Sequence, residues 1–528
     1  MPRVLQRGLA RVVSLIWAVG SLAACDSPGP ALSKLTKSSA ATATPVTAAV
    51  AVATPPVVTL DGTSHHNSVA LIGDRSERIY STAARTWVYE APNPSSDRLG
   101  YLRAGSSAPI SGEVAGTERC SKGWYPILPK GFVCVGPDAT LDNKHPVVRA
   151  MEALPPDFSR KLPYIYGTVR KPGPIYARLP EEKELQEVEP DLSKRMEQWF
   201  KAGGEIGASY AQHVWLGGGD QLPPDPEQAY ADRLTVGVPS YLTDGQVLPN
   251  LLRKPRNPGQ LVIERMEPKV GYAFLETFFW QGRRYGVTTE LKVMPTDRFR
   301  PIQGSDFHGF EIGKDVKFPF AIVRSPAARF RDGSKAEYRS ILQLTGKKQF
   351  FNKVLHYETQ DGKWIGDRDA SRLDAVKKMP AWGLNGEKWI DVNITKPTLV
   401  LYEGQTPVYA TLVSTGEAGL EDAEHTTATK RGIFRIHTKH VTTTMSSNEL
   451  GEEFELQDVP YVQYFDKGGY ALHGAYWHDR FGVPKSHGCI NLAPEDARRI
   501  FFWTEPAVPP GWHGALLPLR GTVMFIHP

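Results

Sequence analysis

The 528-residue sequence has no apolar run long enough to cross a bilayer as a helix, which takes about 20 residues. Its longest candidate near the start, Val12 to Gly20, is too short, so a permanent membrane span is excluded. Charge of one sign is also missing. Lys and Arg number 62 against 57 Asp and Glu, and three of the cations, Arg3, Arg7 and Arg11, crowd the N-terminus. A balance this close gives no argument for nucleic acid or an anionic membrane surface as the main partner. Cysteine is scarce: Cys25, Cys120, Cys134 and Cys489 are all there are. Glycine and proline are plentiful, 48 and 43, and 41% of residues are hydrophobic. That composition suits several domains built of short strands and turns, a mostly β fold with short helices.

The N-terminus reads as a secretion signal over 1–24, with the three arginines ahead of the apolar stretch. Leu22-Ala23-Ala24-Cys25 resembles the bacterial lipobox, which implies lipidation of Cys25 and a membrane anchor; the plainer alternative is an ordinary cleavage site with Cys25 incidental. The resemblance implies a membrane-anchored lipoprotein of the cell envelope, and Asp26 does not decide which membrane. Residues 25–68 are rich in Ala, Thr, Pro, Ser and Val without a periodic apolar face, so they read as a disordered tether. Four cysteines allow three pairings. With Cys25 lipidated, Cys120 and Cys134 lie close together in one β-rich segment and are expected to pair, leaving Cys489 as either an incidental or a reactive thiol.

Short strands and turns organise the middle of the chain. Thr86 to Tyr89, Leu99 to Leu102, Gly123-Trp124-Tyr125 and Gly131 to Cys134 are strand candidates within 69–140. A related pattern, Phe320 to Val323, Leu342 to Gly346 and Asp361 to Ile365, falls within 311–380. Both segments resemble bacterial SH3-like barrels. Residues 150–310 read as a second such unit split by an insertion near 180–260, with a helix over Leu192 to Phe200. Trp87, Trp124, Trp280 and Trp364 could stack on sugars, although core positions are the commoner use of such residues.

The last segment, 386–528, carries the chemistry. Strands are expected at Trp389 to Val392, Leu399 to Tyr402, Pro407 to Val413 and Gly432 to Ile436, and a helix after Pro494, whose Glu495 and Asp496 favour its first turn. Between them lie His473-Gly474 and Ser486-His487-Gly488-Cys489-Ile490-Asn491. A thiol nucleophile needs a nearby base, and either His473 or His487 fits. Gly488 offers close approach and an N–H for an oxyanion. A buried inert Cys489, and a zinc site drawing on His473, His478, His487 and Cys489, are the rival readings. The first suits a polar, Gly-bearing run poorly, and the second has no familiar ligand spacing. His478 by itself reads as a surface residue or one standing behind the site.

Those two motifs, with Leu401 to Gly404 and Val413 to Gly416, resemble the L,D-transpeptidase (YkuD-like) catalytic domain. The one departure is Thr427 to Gly432, where a Thr-Pro pair is usual and a looser loop is expected. The resemblance implies a β-sandwich-like domain after the SH3-like barrels, with Cys489 as nucleophile, His473 as base and the Gly474 carbonyl orienting the imidazole. Ser486, His487, Gly488 and Asn491 would line the site. The implied substrates are peptidoglycan stem peptides, acylated on Cys489 with loss of a terminal D-Ala and passed to an amine, including that of a wall-attached protein. No metal or organic cofactor is implied, and no nucleic acid. A wall-binding lipoprotein without catalysis, and a cysteine carboxypeptidase using water as acceptor, are the alternatives.

Overall fold

The computed structural model describes residues 77–151, 154–204, 237–245, 247–251, 259–268, 270–447, 454–518 and 520–528. The expected signal segment, Cys25, the tether and the middle of the expected insertion lie outside the described residues.

Alternation builds the first module. Thr86 and Val88 point inward while Trp87 and Tyr89 are half-buried, the period of a strand with one face on a core. The module has seven strands: β1 (Arg78–Ser81), β2 (Thr86–Tyr89), β3 (Arg98–Leu102), β4 (Ser107–Pro109), β5 (Trp124–Pro126), β6 (Phe132–Cys134) and β7 (Ala139–Thr140). Strands β4-β1-β7 form one small sheet and β3-β2-β6-β5 a second run. Their shared core holds Ile79, Val88, Leu102, Ile127 and Val133, and Cys120 is bridged to Cys134.

A short helix, α1 (Pro146–Met151), leads into the next segment. There β8 (Ile165–Val169), β9 (Pro174–Tyr176), β10 (Val262–Arg265), β11 (Gly271–Trp280), β12 (Arg283–Thr288), β13 (Val293–Pro295) and β14 (Phe299–Ile302) pair among themselves. Between β9 and β10 lie α2 (Glu182–Val188) and α3 (Leu192–Lys201), the latter over the residues expected to be helical. After β15 (Phe310–Glu311), five strands form one sheet: β16 (Phe320–Val323), β17 (Ile341–Phe351), β18 (Val354–Thr359), β19 (Trp364–Gly366) and β20 (Ala370–Leu373).

The last segment begins with α4 (Ala381–Leu384). Then come β21 (Lys388–Asn393), β22 (Thr398–Glu403), β23 (Thr406–Leu412), β24 (Gly432–Arg435), β25 (Thr438–Ser447), β26 (Phe454–Tyr464), β27 (Ala471–Gly474) and β28 (Ile490–Leu492). They are followed by α5 (Pro494–Trp503), β29 (Gly514–Leu516) and β30 (Val523–His527). One sheet has the order β15-β23-β22-β21-β30-β24. The long β25–β26 hairpin belongs to another, which runs on into the two earlier segments.

Strand pairing therefore joins the segments. β3 pairs β29, with Gly100 opposite Ala515 and Tyr101 opposite Gly514; β11 meets β26, Gly271 opposite Leu456; β15 pairs β23. At the first seam a Cβ on Gly100 would stand 2.2 Å from the Gly514 carbonyl oxygen, so only glycine lets these backbones meet. β16 divides its side chains between two cores. Ala321 and Val323 face their own sheet, while Phe320 and Ile322 pack with Trp389, Leu412, Ala475 and Phe481.

One buried charge lies where the segments meet. Asp458 is on β26, at a left-handed φ of 50°. Its carboxylate receives Thr442 Oγ1 at 2.5 Å, Arg103 Nη2 at 3.1 Å with Nη1 closer still, and Thr289 Oγ1. Its carbonyl accepts the Tyr166 hydroxyl at 2.7 Å. Burial pushes the carboxyl up, but the Arg103 charge and these bonds win and hold it at about 2.

Trp512 precedes β29 and is 4% exposed, packed within the core of the first module. Trp512→Ala is expected to cost about 3–5 kcal/mol of unfolding free energy, read as a lower urea midpoint. A fragment of 386–528 alone, which bares Trp512 and the β29 edge, is expected to be less stable and less soluble than one starting at Glu77.

Candidate functional site

Two short parallel strands fix the site. Leu472 lies opposite Ile490, His473 opposite Asn491 and Gly474 opposite Leu492. The period of two sends Leu472, Ile490 and Leu492 into a core shared with Ala497, Ile500 and Phe501 of α5. The opposite face receives Ala471, His473, Asn491 and, one residue before β28 begins, Cys489. Adjacent strands lie about 4.8 Å apart and alternate residues about 6.6 Å along a strand. His473 and Cys489 are thus diagonal neighbours on one face, a spacing long side chains bridge.

α5 holds this pair from below. Pro494 occupies its first turn, where a missing N–H is harmless, and Ala497, Ile500 and Phe501 are its buried stripe. Asp496, expected to favour the helix start, is fully buried and accepts Tyr409 Oη at 2.6 Å, the Gly309 N–H at 2.9 Å and Thr411 Oγ1. Burial raises its carboxyl, and these donors pull the other way.

His473 is buried, and burial pulls its imidazole down to about 4, offset only in part by the Gly474 carbonyl. Nδ1 lies 3.4 Å from that carbonyl, a long contact that makes Nδ1 the donor and leaves Nε2 as acceptor. Trp477 stands beside the ring, centroids 5.6 Å apart. Cys489 is half-buried, and burial pushes its thiol up to about 11 against the Ala471 N–H. At neutral pH both partners therefore rest uncharged.

The Ser486 to Cys489 turn is stapled from within. Ser486 is buried; its hydroxyl donates to the Cys489 carbonyl at 2.5 Å and accepts the Gly488 N–H at 3.2 Å. The Gly488 amide is thereby engaged, which corrects the expectation that it offers itself to an oxyanion. Gly488 has a φ of 116°, and a Cβ there would lie 2.7 Å from the Tyr470 ring. The Ser486 N–H donates to the Thr415 carbonyl at 3.0 Å, and the Glu417 N–H to the Ser486 carbonyl at 2.9 Å. The loop expected to be loose is anchored here: Ala428 and Thr429 are buried, and Thr429 Oγ1 accepts the Gly416 N–H at 2.8 Å. His487 is exposed.

His478 is not a surface residue. It is 3% exposed, its imidazole pulled down to about 3 by burial and by Lys485 and His473. Its Nδ1 accepts the Arg480 N–H at 3.2 Å, so the neutral ring carries its proton on Nε2, 2.9 Å from the Asn491 amide. Asn491 Oδ1 is buried without a partner as placed; with the amide turned over it accepts the Nε2 proton, and the NH2 becomes the donor to spare. Of the two expectations for His478, standing behind the site is the one its burial fits, while Trp477 and Tyr470 had no role in the sequence reading. The signal for Trp477 was the aromatic run Tyr476-Trp477-His478 just beyond the site strand. Among the described residues no group of three His, Cys, Asp or Glu is disposed to hold a metal.

Buried neutral histidines give the fold an acid limit. Burial holds His440 at about 3 and His513 well below its ordinary value, alongside His473 and His478. Below about pH 6.5 the unfolded chain takes up protons that the folded chain refuses. Their contribution is complete above that pH and is lost as pH falls toward 4, on the order of 1 kcal/mol per group per pH unit. Urea midpoints at pH 7.5, 6.0 and 5.0 are expected to fall steadily; a flat series would contradict the buried neutral states.

The sequence model of the L,D-transpeptidase catalytic domain (YkuD) matches residues 387–519. No curated protein matches the chain. Among solved structures it is similar to an L,D-transpeptidase of Xylanimonas cellulosilytica, at 22% identity over 29% of this chain and 64% of that one, with a TM-score of 0.20. An L,D-transpeptidase from Mycobacterium smegmatis is 18% identical over 40% of this chain and 81% of its own, TM-score 0.22. L,D-transpeptidase 3 of Mycobacterium tuberculosis is 14% identical over 43% and 98%, TM-score 0.21. The chain thus spans 64% of the length of the Xylanimonas protein.

Proposed function

Residues 387–519 being an L,D-transpeptidase catalytic domain, we propose that this chain is a peptidoglycan L,D-transpeptidase in which Cys489 is the nucleophile and His473 its base. The observation that supports the reading is the β27–β28 register, which puts His473 opposite Asn491, two residues after Cys489.

In this reading the Cys489 thiol adds to the carbonyl that precedes the terminal D-Ala of a stem tetrapeptide, and its proton passes to His473 Nε2. The tetrahedral adduct collapses to a thioester, and the D-Ala amine departs with that proton. An amine of another stem, or of a wall-attached protein, then attacks the thioester, gives its proton to the imidazole and forms the new amide as the thiol is restored. The Gly474 carbonyl keeps Nε2 turned toward sulfur. Asn491, held by His478, supplies an amide donor on the same face. Ser486 and Gly488 shape the turn that presents sulfur, and His487 stands at the rim. No resident metal or cofactor enters these steps. The cell-envelope location and a lipid anchor on Cys25 complete the proposal.

Proton transfer between two resting neutral groups fixes the pH dependence. Acylation by a carbapenem, measured by stopped flow, is expected to stay within a few-fold from pH 5 to 9, because His473 remains neutral down to about 4 and Cys489 protonated up to about 11. A tenfold fall between pH 8 and pH 5 would mean that a histidine with an ordinary pKa is the base.

Cys489→Ala is expected to abolish the adduct in intact-protein mass spectra. His473→Ala is expected to slow its formation by about 10²–10⁴-fold, the range of a lost general base. Incubation of muropeptides with the enzyme, read by mass spectrometry, tests the whole reading. Loss of D-Ala with a cross-linked dimer supports it; loss of D-Ala with a tripeptide alone makes the chain a carboxypeptidase; no loss of D-Ala refutes it.

A further inference from the structure

Far along the sequence from Cys489, the segment between β8 and β14 encloses a cavity of about 440 Å³. Arg170, Lys171, Arg195, Arg298 and Arg300 line it, with Asp297 as the one carboxylate among the lining residues and Trp199 of α3 as an aromatic wall. Part of this charge is accounted for within the fold. Buried Glu189 takes Arg195 Nη2 at 2.5 Å, Arg298 Nη2 at 2.5 Å and Arg283 Nη1 at 2.8 Å, and Arg283 Nε reaches Asp297 at 2.7 Å.

The rest of the charge has no carboxylate. The Arg170 guanidinium stacks on Trp199 at 4.4 Å and donates through Nη2 to the Asp297 carbonyl at 2.8 Å, yet its Nε is buried without an acceptor. Arg298 Nε is likewise buried without a hydrogen bond, although it stands 3.8 Å from the Asp297 carboxylate. Lys171 and Arg300 are exposed at the mouth, and their side chains have no ion pair or hydrogen bond among the described residues. Burial lowers the Arg170 guanidinium from its ordinary value; Asp297 pulls the other way, and Arg300 and Arg298 add smaller lowering effects. A structural network that served only to satisfy Glu189 and Asp297 would not need Arg170, Lys171 and Arg300.

We propose that this cavity is a binding site for a phosphate group, held by Arg170, Lys171 and Arg300. Guanidinium forks match the paired oxygens of a phosphate, and a doubly charged anion answers three unpaired cations better than one carboxylate does. The volume admits the phosphate together with the small group that bears it. Free phosphate, a sugar phosphate and a phospholipid headgroup share this chemistry. The site is independent of the Cys489 reaction.

Isothermal titration of the full chain with inorganic phosphate, then with glucose 1-phosphate, in low-salt buffer at pH 7.5 tests the proposal. Saturable binding is expected, weakened at least tenfold in the Lys171→Ala/Arg300→Ala double variant and unchanged in Cys489→Ala. Both altered side chains of the double variant are exposed and unpaired, so its melting temperature should match the parent's. Co-sedimentation with phosphatidic acid vesicles identifies the source. Pelleting that the double variant loses assigns a lipid headgroup, whereas binding of the soluble esters without pelleting assigns a soluble phosphate. Absence of saturable binding by phosphate and its ester, equal affinity in the double variant, or loss of binding in Cys489→Ala would overturn the proposal.

Discussion

The buried carboxylate of Asp458 is the constraint on which the assembly depends. An ionised group without water must be paired, and removing one partner of such a pair typically costs 3–5 kcal/mol. Its partners come from three stretches of chain: Arg103 from the first module, Thr289 from the middle segment and Thr442 from the hairpin of the catalytic domain. Closing this network brings the three together in one register. It also seats β26, and β26 in turn pairs β27, the strand that carries His473. The position of the imidazole is thus set from a charge on the neighbouring strand and from residues hundreds of positions earlier.

The two motifs of the proposed site were legible in the sequence because their signals are local. His473-Gly474 and Ser486 to Asn491 are contiguous runs, and the strands that carry them are short and buried throughout. Single strands in the earlier modules, such as Thr86 to Tyr89 and Phe320 to Val323, were legible for the same reason. What could not be read is whatever depends on partners distant along the chain. Tyr101 and Gly514 are more than four hundred residues apart, and neither residue type announces that their strands pair. The burial of His478 is similarly hidden, since a histidine next to an aspartate and an arginine in sequence looks solvent-facing until Arg480 and Asn491 close over its ring nitrogens. The engagement of Gly488 by Ser486 was missed because a staple within a turn depends on backbone angles, here a φ of 116°, that the letters do not show.

The two ends of the site are held by different physics. Beneath the strands, apolar packing against α5 gives a stiff floor with little chemistry of its own. Above them, the face of His473, Cys489 and Asn491 is polar but poorly solvated, and the cost of burying its groups is met by weak or few hydrogen bonds: a long contact from His473 to Gly474, a pair between Asn491 and His478, and for Cys489 the Ala471 N–H and a 3.9 Å contact to the Gly469 carbonyl. Low solvation with few partners keeps both His473 and Cys489 neutral.

A neutral thiol has a further consequence in surroundings oxidising enough to keep Cys120 and Cys134 bridged. Peroxide and foreign disulfides react with thiolates, and a thiol held at about 11 presents almost none at neutral pH. The same burial that makes Cys489 wait for a base thus shields it from sulfenylation and from mixed-disulfide capture. Its resistance to oxidation and its weakness as a free nucleophile have one cause.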